Sequence, residues 1–371
     1  MGEGAESYGL VIEEFDTAYL PEAQSLLDFC ACNGGSSMAQ ATQIQSVPVL
    51  APEDVVTKLR AAVHPAATQQ YFALYSSILG GIVTDPALMI IPFDDHMVHR
   101  GHAVFDTAAI VNGMMYQLEA HLNRFERSAS MARIPLPFPR NQLREIILET
   151  AGASGKRDAA VRYWASVGPG GFGLAPGECV GSSFHVMIYA GAKTPASAYT
   201  EGMKFITSSI PIKAPFFARC KSTNYLPNAL VVMEAKDKRA DNGIFIDAHG
   251  MIGESSNMNV AFVTRERVLR HPTFDAILAG CTVTRALELA KTLVANGQLK
   301  DIVVADVSIE EARQAVEMLL VGSSVHVAPI TQWDGQPVGD GRPGPVAKAL
   351  LELIERDMRE GKDQLVPIPY R

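Results

Sequence analysis

The sequence predicts a mixed α/β or α+β chain in two domains. Its 371 residues are 47% hydrophobic and 19% charged, enough chain for two domains and a large core. Strand-like and helix-like apolar periods alternate in both halves. Between the halves, Ala190 to Gly202 contains Gly191, Pro195 and Ser197, has no apolar period and reads as a boundary. The expected plan is an N-terminal extension over 1–48, a domain over 49–190, a linker over 191–202 and a second domain over 203–371.

Residues 1–48 are weakly patterned, and Asn33-Gly34-Gly35-Ser36-Ser37 with the polar run to Ser46 reads as loop. Val55, Val56, Leu59 and Val63 recur at helical intervals after Pro52 and predict a helix over Glu53 to Val63. Leu88 to Pro92 is a short apolar run and predicts a strand, followed by a polar loop from Asp94 to Gly101. Asn112-Gly113, between Ala103-Val104-Phe105 and Met114-Met115-Tyr116, predicts a hairpin. Helices follow over Glu119 to Met131 and Arg140 to Ala151, the first with Leu122, Phe125 and Ala129 on one face. Ala159 to Val167 and Ser182 to Tyr189 are strand-like. The second half predicts strands over Lys204 to Thr207, Gly243 to Asp247, Val260 to Thr264, Asp301 to Ala305 and Val325 to Ile330. Its predicted helices are Asn228 to Arg239, Thr284 to Asn296, Ile309 to Ala315 and Val346 to Glu360. No internal repeat is visible.

Composition excludes several classes of function. The net charge of −8 argues against a nucleic-acid footprint. The longest apolar stretch, Tyr71 to Val83, is shorter than the ~18–20 residues of a membrane span. The five cysteines, Cys30, Cys32, Cys179, Cys220 and Cys281, are scattered and read as reduced thiols. Glu3, Glu6, Glu13, Glu14 and Asp16 precede the first basic residue, Lys58, opposite to the charge pattern of a signal or transit peptide. The expected location is cytoplasmic.

The segment Arg219-Cys220-Lys221-Ser222-Thr223-Asn224-Tyr225-Leu226 carries a lysine well separated from its nearest neighbour, Lys213. Downstream lies Asp247-x-x-Gly250-x-x-x-Glu254-x-x-x-x-Asn259. Alone, Lys221 reads as a surface lysine and Glu254 as a turn carboxylate. Together with Glu234-Ala235, however, they resemble the signature of the fold-type IV pyridoxal-phosphate enzymes. That family holds the branched-chain and D-amino acid aminotransferases and aminodeoxychorismate lyase, and the resemblance covers about residues 85–360. The runs Asn224-Tyr225-Leu226-Pro227-Asn228 and Asn257-Met258-Asn259-Val260-Ala261-Phe262 are most similar to the plant-type D-amino acid aminotransferase-like branch.

The resemblance implies a smaller N-terminal and a larger C-terminal domain, with pyridoxal 5′-phosphate in the cleft between them. Lys221 is then the amine that forms the Schiff base and shuttles the Cα proton. Glu254 faces the pyridine nitrogen and keeps it protonated, and Asn259 holds the turn. His121-Leu122-Asn123-Arg124-Phe125-x-x-Ser128-Ala129 resembles the family helix whose arginine grips the phosphate, which assigns Arg124. From the helix alone, Arg124 reads as a surface arginine. Leu278-Ala279-Gly280-Cys281-Thr282 opens a helix, and a glycine turn there is an anion site. Cys281 and Val283 replace the Ile and Arg of the family's Gly-Ile-Thr-Arg, so the Cys281 and Thr282 backbone and the Thr282 hydroxyl are carried over. Val321-Gly322-Ser323-Ser324 resembles a family loop that approaches phosphate or substrate, giving Ser324 to the cofactor and Ser323 to the substrate. The plain alternative is a serine turn before a strand.

Gly168-Pro169-Gly170-Gly171-Phe172-Gly173 is no nucleotide loop, since Pro169 removes a donor and no Gly-Lys-Ser/Thr follows. It resembles the glycine loop bordering the substrate pocket, with Arg162 and Tyr163 at pocket-lining positions. The Arg and His that hold the substrate carboxylate in bacterial D-amino acid enzymes are missing between Val167 and Pro176. Arg100 is the candidate replacement, set against a reading as a surface arginine. His96, His99 and His102 beside Asp94 and Asp95 invite a metal reading. Their spacing cannot turn all three to one ion on a strand, so no metal is expected.

The expected activity is a ping-pong aminotransferase acting on a D-amino acid such as D-alanine and a 2-oxo acid. A homodimer, with neither nucleic-acid nor membrane partner, is implied. Aminodeoxychorismate lyase, a branched-chain L-amino acid or amine transaminase, and a non-catalytic binding protein of the same fold remain alternatives. Retention of Lys221, Glu254 and Arg124 together argues against the last.

Overall fold

Two β-sheets form the framework of the chain in a computed structural model that describes residues 47–191 and 193–370. The expected loop over 1–46, with Cys30 and Cys32, lies outside the described residues. The first sheet is antiparallel and seven-stranded, in the order Leu365–Pro367, Met114–Tyr116, Ala103–Val111, Ala159–Ser166, Ser183–Tyr189, Tyr71–Ser76, Gly81–Val83. Its hairpin forms at Asn112-Gly113, both at positive φ (51° and 80°), as the right-handed strand twist requires. Helices Leu118–Met131 and Arg140–Ala153 cover one face, burying Leu122, Phe125, Leu143 and Ile147 against Val161, Phe184 and Val186.

The second sheet is mixed and nine-stranded. Its centre runs Asn259–Val263, Glu317–Gly322, His326–Trp333, Met203–Thr207, Asn242–Ile246, and it ends on Ile252–Ser255. Helices Cys281–Leu289 and Pro345–Glu360 pack on it through Val283, Ala286, Leu350 and Ile354. Among the described residues no helix is long and apolar enough to cross a membrane.

The first sheet is tied to these helices by a buried polar clamp. Tyr116 Oη donates to Asp357 Oδ2 (2.7 Å), and Arg285 grips the same carboxylate through Nε (2.9 Å) and Nη2 (2.6 Å). Arg285 lies one turn into helix Cys281–Leu289, so the clamp sets where that helix begins relative to the first sheet.

Some expectations need correction. Leu88 to Pro92 is no strand: Pro86–Leu88 is a 3₁₀ turn capped by Asp85, which accepts from Ala87 N (3.1 Å), and the residues after it pair with no strand. Asp94 to Gly101 is not a loop but a short helix, His96–Arg100. Asp95 caps its N-terminus and Gly101 (φ 64°) ends it. The helix expected from Thr284 starts earlier, at Cys281, and breaks at Ala290 into a second piece, Lys291–Ala295. Strands Tyr71–Ser76, Ile252–Ser255, Val268–His271 and Glu317–Gly322 were not foreseen, being too short to show a decisive period.

Tyr116→Phe is expected to cost about 1–2 kcal/mol, seen as a lower urea midpoint at unchanged slope. Asp357→Ala, which also strands Arg285, is expected to cost more.

Candidate functional site

Lys221 sits on the turn between the one-turn helix Pro215–Ala218 and helix Leu226–Asp237. This turn leaves its own sheet and docks on the first one. Phe105 N donates to Lys221 O (2.9 Å), Thr223 N to Ala103 O (2.9 Å), and Lys221 N to Ser128 Oγ (3.1 Å). The side chain is 8% exposed. Its Nζ donates to Tyr225 Oη (3.2 Å) and lies 4.7 Å from the Phe105 ring centroid. A buried amine held between a phenol and an aromatic face has little competing water.

Glu254 lies on the edge strand Ile252–Ser255 and is equally buried. One carboxylate oxygen accepts from Leu278 N (3.3 Å). Burial pushes its pKa up to about 7, and Lys213, Lys221 and Arg124 only partly offset that.

Helix Cys281–Leu289 opens on Gly280 without a side-chain cap, leaving first-turn N–H groups free of a capping side chain. Asn259 holds the turn before it: Asn259 Nδ2 donates to Leu278 O (3.0 Å), and a Cβ at Gly280 would meet Asn259 Oδ1 at 2.2 Å. Only glycine fits there. The Thr282 and Ser323 hydroxyls meet at 3.2 Å beside this helix end. Uncapped N–H groups and two hydroxyls make an anion cup.

Arg124 supplies the cation of the cup, and its partner was not foreseen. Its Nε and Nη2 grip the Asp106 carboxylate (2.8 and 2.7 Å), while Nη1 reaches toward Ala279 O (3.4 Å). His121 Nδ1 bonds the same carboxylate (2.8 Å). Burial works against the Asp106 charge, yet Arg124 and His121 hold its pKa well below the usual range. Burial also opposes charge on His121, but Cys281 and Asp106 win and raise it to about 9. Burial pushes the Cys281 thiol up, and His121 and Arg124 more than reverse this. The cluster keeps positive charge directly behind the cup.

Lys221, Glu254, Arg124, Cys281, Thr282, Ser323, Ser324 and Arg162 all line one cavity of about 760 Å³. Phe105, Tyr189 and Tyr225 complete its walls. Arg162 Nε donates to Thr107 Oγ1 (3.0 Å), and its guanidinium lies over Phe105 and Tyr189 (5.2 and 5.6 Å).

Two expected residues are not brought there. Tyr163 points to the other face of its strand, where it is fully buried against Phe125 (ring centroids 4.9 Å) and Phe184. Side chains alternate along a strand, so Arg162 and Tyr163 cannot share a wall. Arg100 is exposed and donates to Phe172 O (2.6 Å), tying the short helix to the glycine loop instead of facing the cavity. His96 and His102 face each other through Nδ1 (3.3 Å), with their other nitrogens on Gly173 O and Ala132 O. Among the described residues no group of three or more His, Cys, Asp or Glu is arranged for a metal ion.

Asp106, Phe105 and the Tyr225 hydroxyl were missed as site residues. His121 stood in a quoted motif, but a histidine three residues before an arginine does not announce a shared carboxylate fifteen residues upstream.

A family model described as amino-transferase class IV matches residues 103–333. The D-amino-acid transaminase, chloroplastic, of Arabidopsis thaliana is 48% identical over 332 residues, 89% of this chain and 87% of that protein. The D-alanine aminotransferase of Bacillus licheniformis is 25% identical over 289 residues, 76% of this chain and 96% of that protein. The solved T.th. branched-chain amino acid aminotransferase with pyridoxamine 5′-phosphate superposes with a TM-score of 0.74 at 25% identity, covering 81% of this chain and 99% of that one.

A buried acid raised to about 7 weighs against folding once it ionises, so this cost is absent near pH 4.5 and complete above pH 7. Cofactor-free Glu254→Gln is expected to exceed the parent in stability at pH 8 by about 3 kcal/mol. The gap is expected to close by pH 4.5, as urea titrations at the two pH values will measure.

Proposed function

The chain belongs to the class IV aminotransferase family and is a pyridoxal-phosphate-dependent transaminase; we propose that its donor is a D-amino acid such as D-alanine and its acceptor a 2-oxo acid, taken in turn by a ping-pong route. The D-amino-acid reading is supported by the 48% identity to the Arabidopsis enzyme over most of both chains. The observation that carries the mechanism is the convergence of Lys221, Glu254 and an uncapped helix N-terminus on one cavity.

The residues present fit the cofactor. The cup at Cys281 and Thr282, with the Thr282 and Ser323 hydroxyls and Arg124, suits a phosphate. The Gly280 position supports this, because the missing Cβ lets the turn before the helix pack against Asn259, which holds the helix end in place. Ser324 lines the same end of the cavity and is assigned to the cofactor with them. Glu254 suits a ring nitrogen that must stay protonated. When bound, pyridoxal phosphate supplies an aldehyde to join the substrate amine and a ring to take up the Cα–H electron pair.

Lys221 is the base that would take the Cα proton and deliver it to C4′ of the cofactor. Tyr225 orients Lys221 Nζ through its hydroxyl, and Phe105 shields it from water. Arg162 is the cavity cation assigned to the substrate carboxylate, since Arg100 lies outside the cavity. Thr107 and the two aromatic faces hold its guanidinium plane, leaving donors for a bidentate grip. The chain is read as one half of a homodimer, because Leu174 and Val180 beside the glycine loop are 83% and 85% exposed, apolar surface that a second copy covers.

Mixing the holoenzyme with D-alanine and no 2-oxo acid is expected to bleach the yellow cofactor absorbance in one turnover, while L-leucine leaves it unchanged. Bleaching by L-leucine alone moves the protein to the branched-chain reading; bleaching by neither favours the lyase. Arg162→Ala is expected to raise KM for the amino acid about 10–100-fold, the loss of a charge-assisted pair, with the cofactor spectrum retained.

A further inference from the structure

His96 and His102 make more hydrogen bonds than two neutral rings can supply. Their Nδ1 atoms stand 3.3 Å apart, while His96 Nε2 is 3.2 Å from Gly173 O and His102 Nε2 is 2.8 Å from Ala132 O. A carbonyl oxygen only accepts, so both Nε2 atoms carry hydrogen. A neutral imidazole has one ring hydrogen, and both are then spent. Two lone pairs are left facing each other, a contact that repels unless something sits between them. His96 is 2% exposed, so bulk water does not relieve it.

The pair stands at a junction. His96 N donates to Gly168 O (3.1 Å) and Arg100 Nη2 to Phe172 O (2.6 Å), so helix His96–Arg100 holds the glycine loop at its start and its end. Ala132 follows helix Leu118–Met131, which carries His121 and Arg124. Gly101, beside His102, accepts from Thr223 Oγ1 through its carbonyl (2.9 Å), and a Cβ there would overlap the Asn224 side chain. Thr223 and Asn224 belong to the turn that carries Lys221.

We propose that one proton is shared between His96 Nδ1 and His102 Nδ1, and that this charged pair is a pH-sensitive latch holding the glycine loop and the Lys221 turn to the end of helix Leu118–Met131. With the proton in place, all three contacts are hydrogen bonds. When it leaves for solvent, the facing lone pairs drive one ring round, and Gly173 O or Ala132 O loses its donor. The two rings titrate as a unit, and the latch opens as pH rises. Neighbouring charges are committed elsewhere. Asp95 accepts from Met97 N and from the Ser166 and Ser183 hydroxyls. The His99 ring stands edge-on to His96 at 5.1 Å and turns Nε2 to Asp94 O (3.3 Å). The other titratable groups on the packed elements are Glu178 and Cys179 of the glycine loop, His185 of strand Ser183–Tyr189, and Arg133 after Ala132. Among the described residues no third ligand completes a metal site around the pair, which favours a proton as the occupant.

The test uses full-chain holoenzyme with isotope-labelled histidine, followed by nitrogen NMR at about pH 6.5 and about pH 9. Both Nε2 atoms are expected to be protonated at the lower pH, with one further hydrogen shared by the two Nδ1 atoms, and that hydrogen is expected to be gone at the higher pH. The amides of His96 and Thr223 are expected to lose about tenfold of their protection from hydrogen exchange over the same interval, after correction for the intrinsic rate, the worth of about one hydrogen bond. In His102→Asn the side-chain amide nitrogen takes the place of Nδ1 and gives His96 a neutral donor, so the pH dependence of the His96 amide is expected to disappear. Two neutral rings at both pH values, or a pH dependence that His102→Asn retains, overturns the proposal. A stoichiometric divalent cation in the purified holoenzyme, whose removal by a chelator shifts these two rings' signals, overturns it as well and makes the occupant a metal ion.

Discussion

A carboxylate with no solvent exposure, Asp106, is the constraint around which the site is arranged. A buried charge without partners is untenable, and removing one partner from such a pair costs about 3–5 kcal/mol. Asp106 is therefore met from one helix by Arg124 and His121, which fixes the rotation of Leu118–Met131 over the sheet. That rotation also aims Ser128, two turns from His121, at the backbone of Lys221. Two cations on one anion leave an excess of positive charge beside the opening turn of Cys281–Leu289. The same pairing that satisfies Asp106 thus makes the region attractive to a phosphate.

The motifs were legible because each packs chemistry and backbone geometry into a few neighbouring residues. Lys221, Glu254, Arg124, Cys281 and Thr282 were all placed from such runs, and all line the cavity. What was not legible depended on orientation or on partners distant in sequence. Arg162 and Tyr163 are adjacent in sequence and opposite in space, a distinction that needs the sheet's covered face to be known. Arg100 was judged by its chemistry alone, and the Asp95 cap and Gly101 stop that turn its loop into a helix send it to a carbonyl instead. The Leu88 to Pro92 run failed as a strand because Asp85 and Pro86 offered a local turn first.

The division of labour between the sheets explains why the cavity is built where it is. The first sheet supplies Phe105, Thr107, Arg162 and Tyr189 from its uncovered face, a wall of aromatic surface and one cation. The second supplies Glu254 and the turns at Gly280 and Ser323, a wall of polar and backbone groups. Lys221 belongs to neither face. It rides on a crossing turn hydrogen-bonded to the strand Ala103–Val111, so its amine is registered to the aromatic wall chiefly by backbone bonds.

The strand Leu365–Pro367 completes an edge of a sheet whose other members all end by Tyr189. A ribosome releases the N-terminal part first, at ~5–20 residues per second, so the Met114–Tyr116 edge waits roughly ten to fifty seconds for its partner. Throughout that interval the nascent sheet presents unpaired N–H and C=O groups, the template on which strangers add strands. The last residues of this chain act as a late-arriving hem, and the period of greatest vulnerability to misassembly falls during synthesis, before the cavity exists to hold a cofactor.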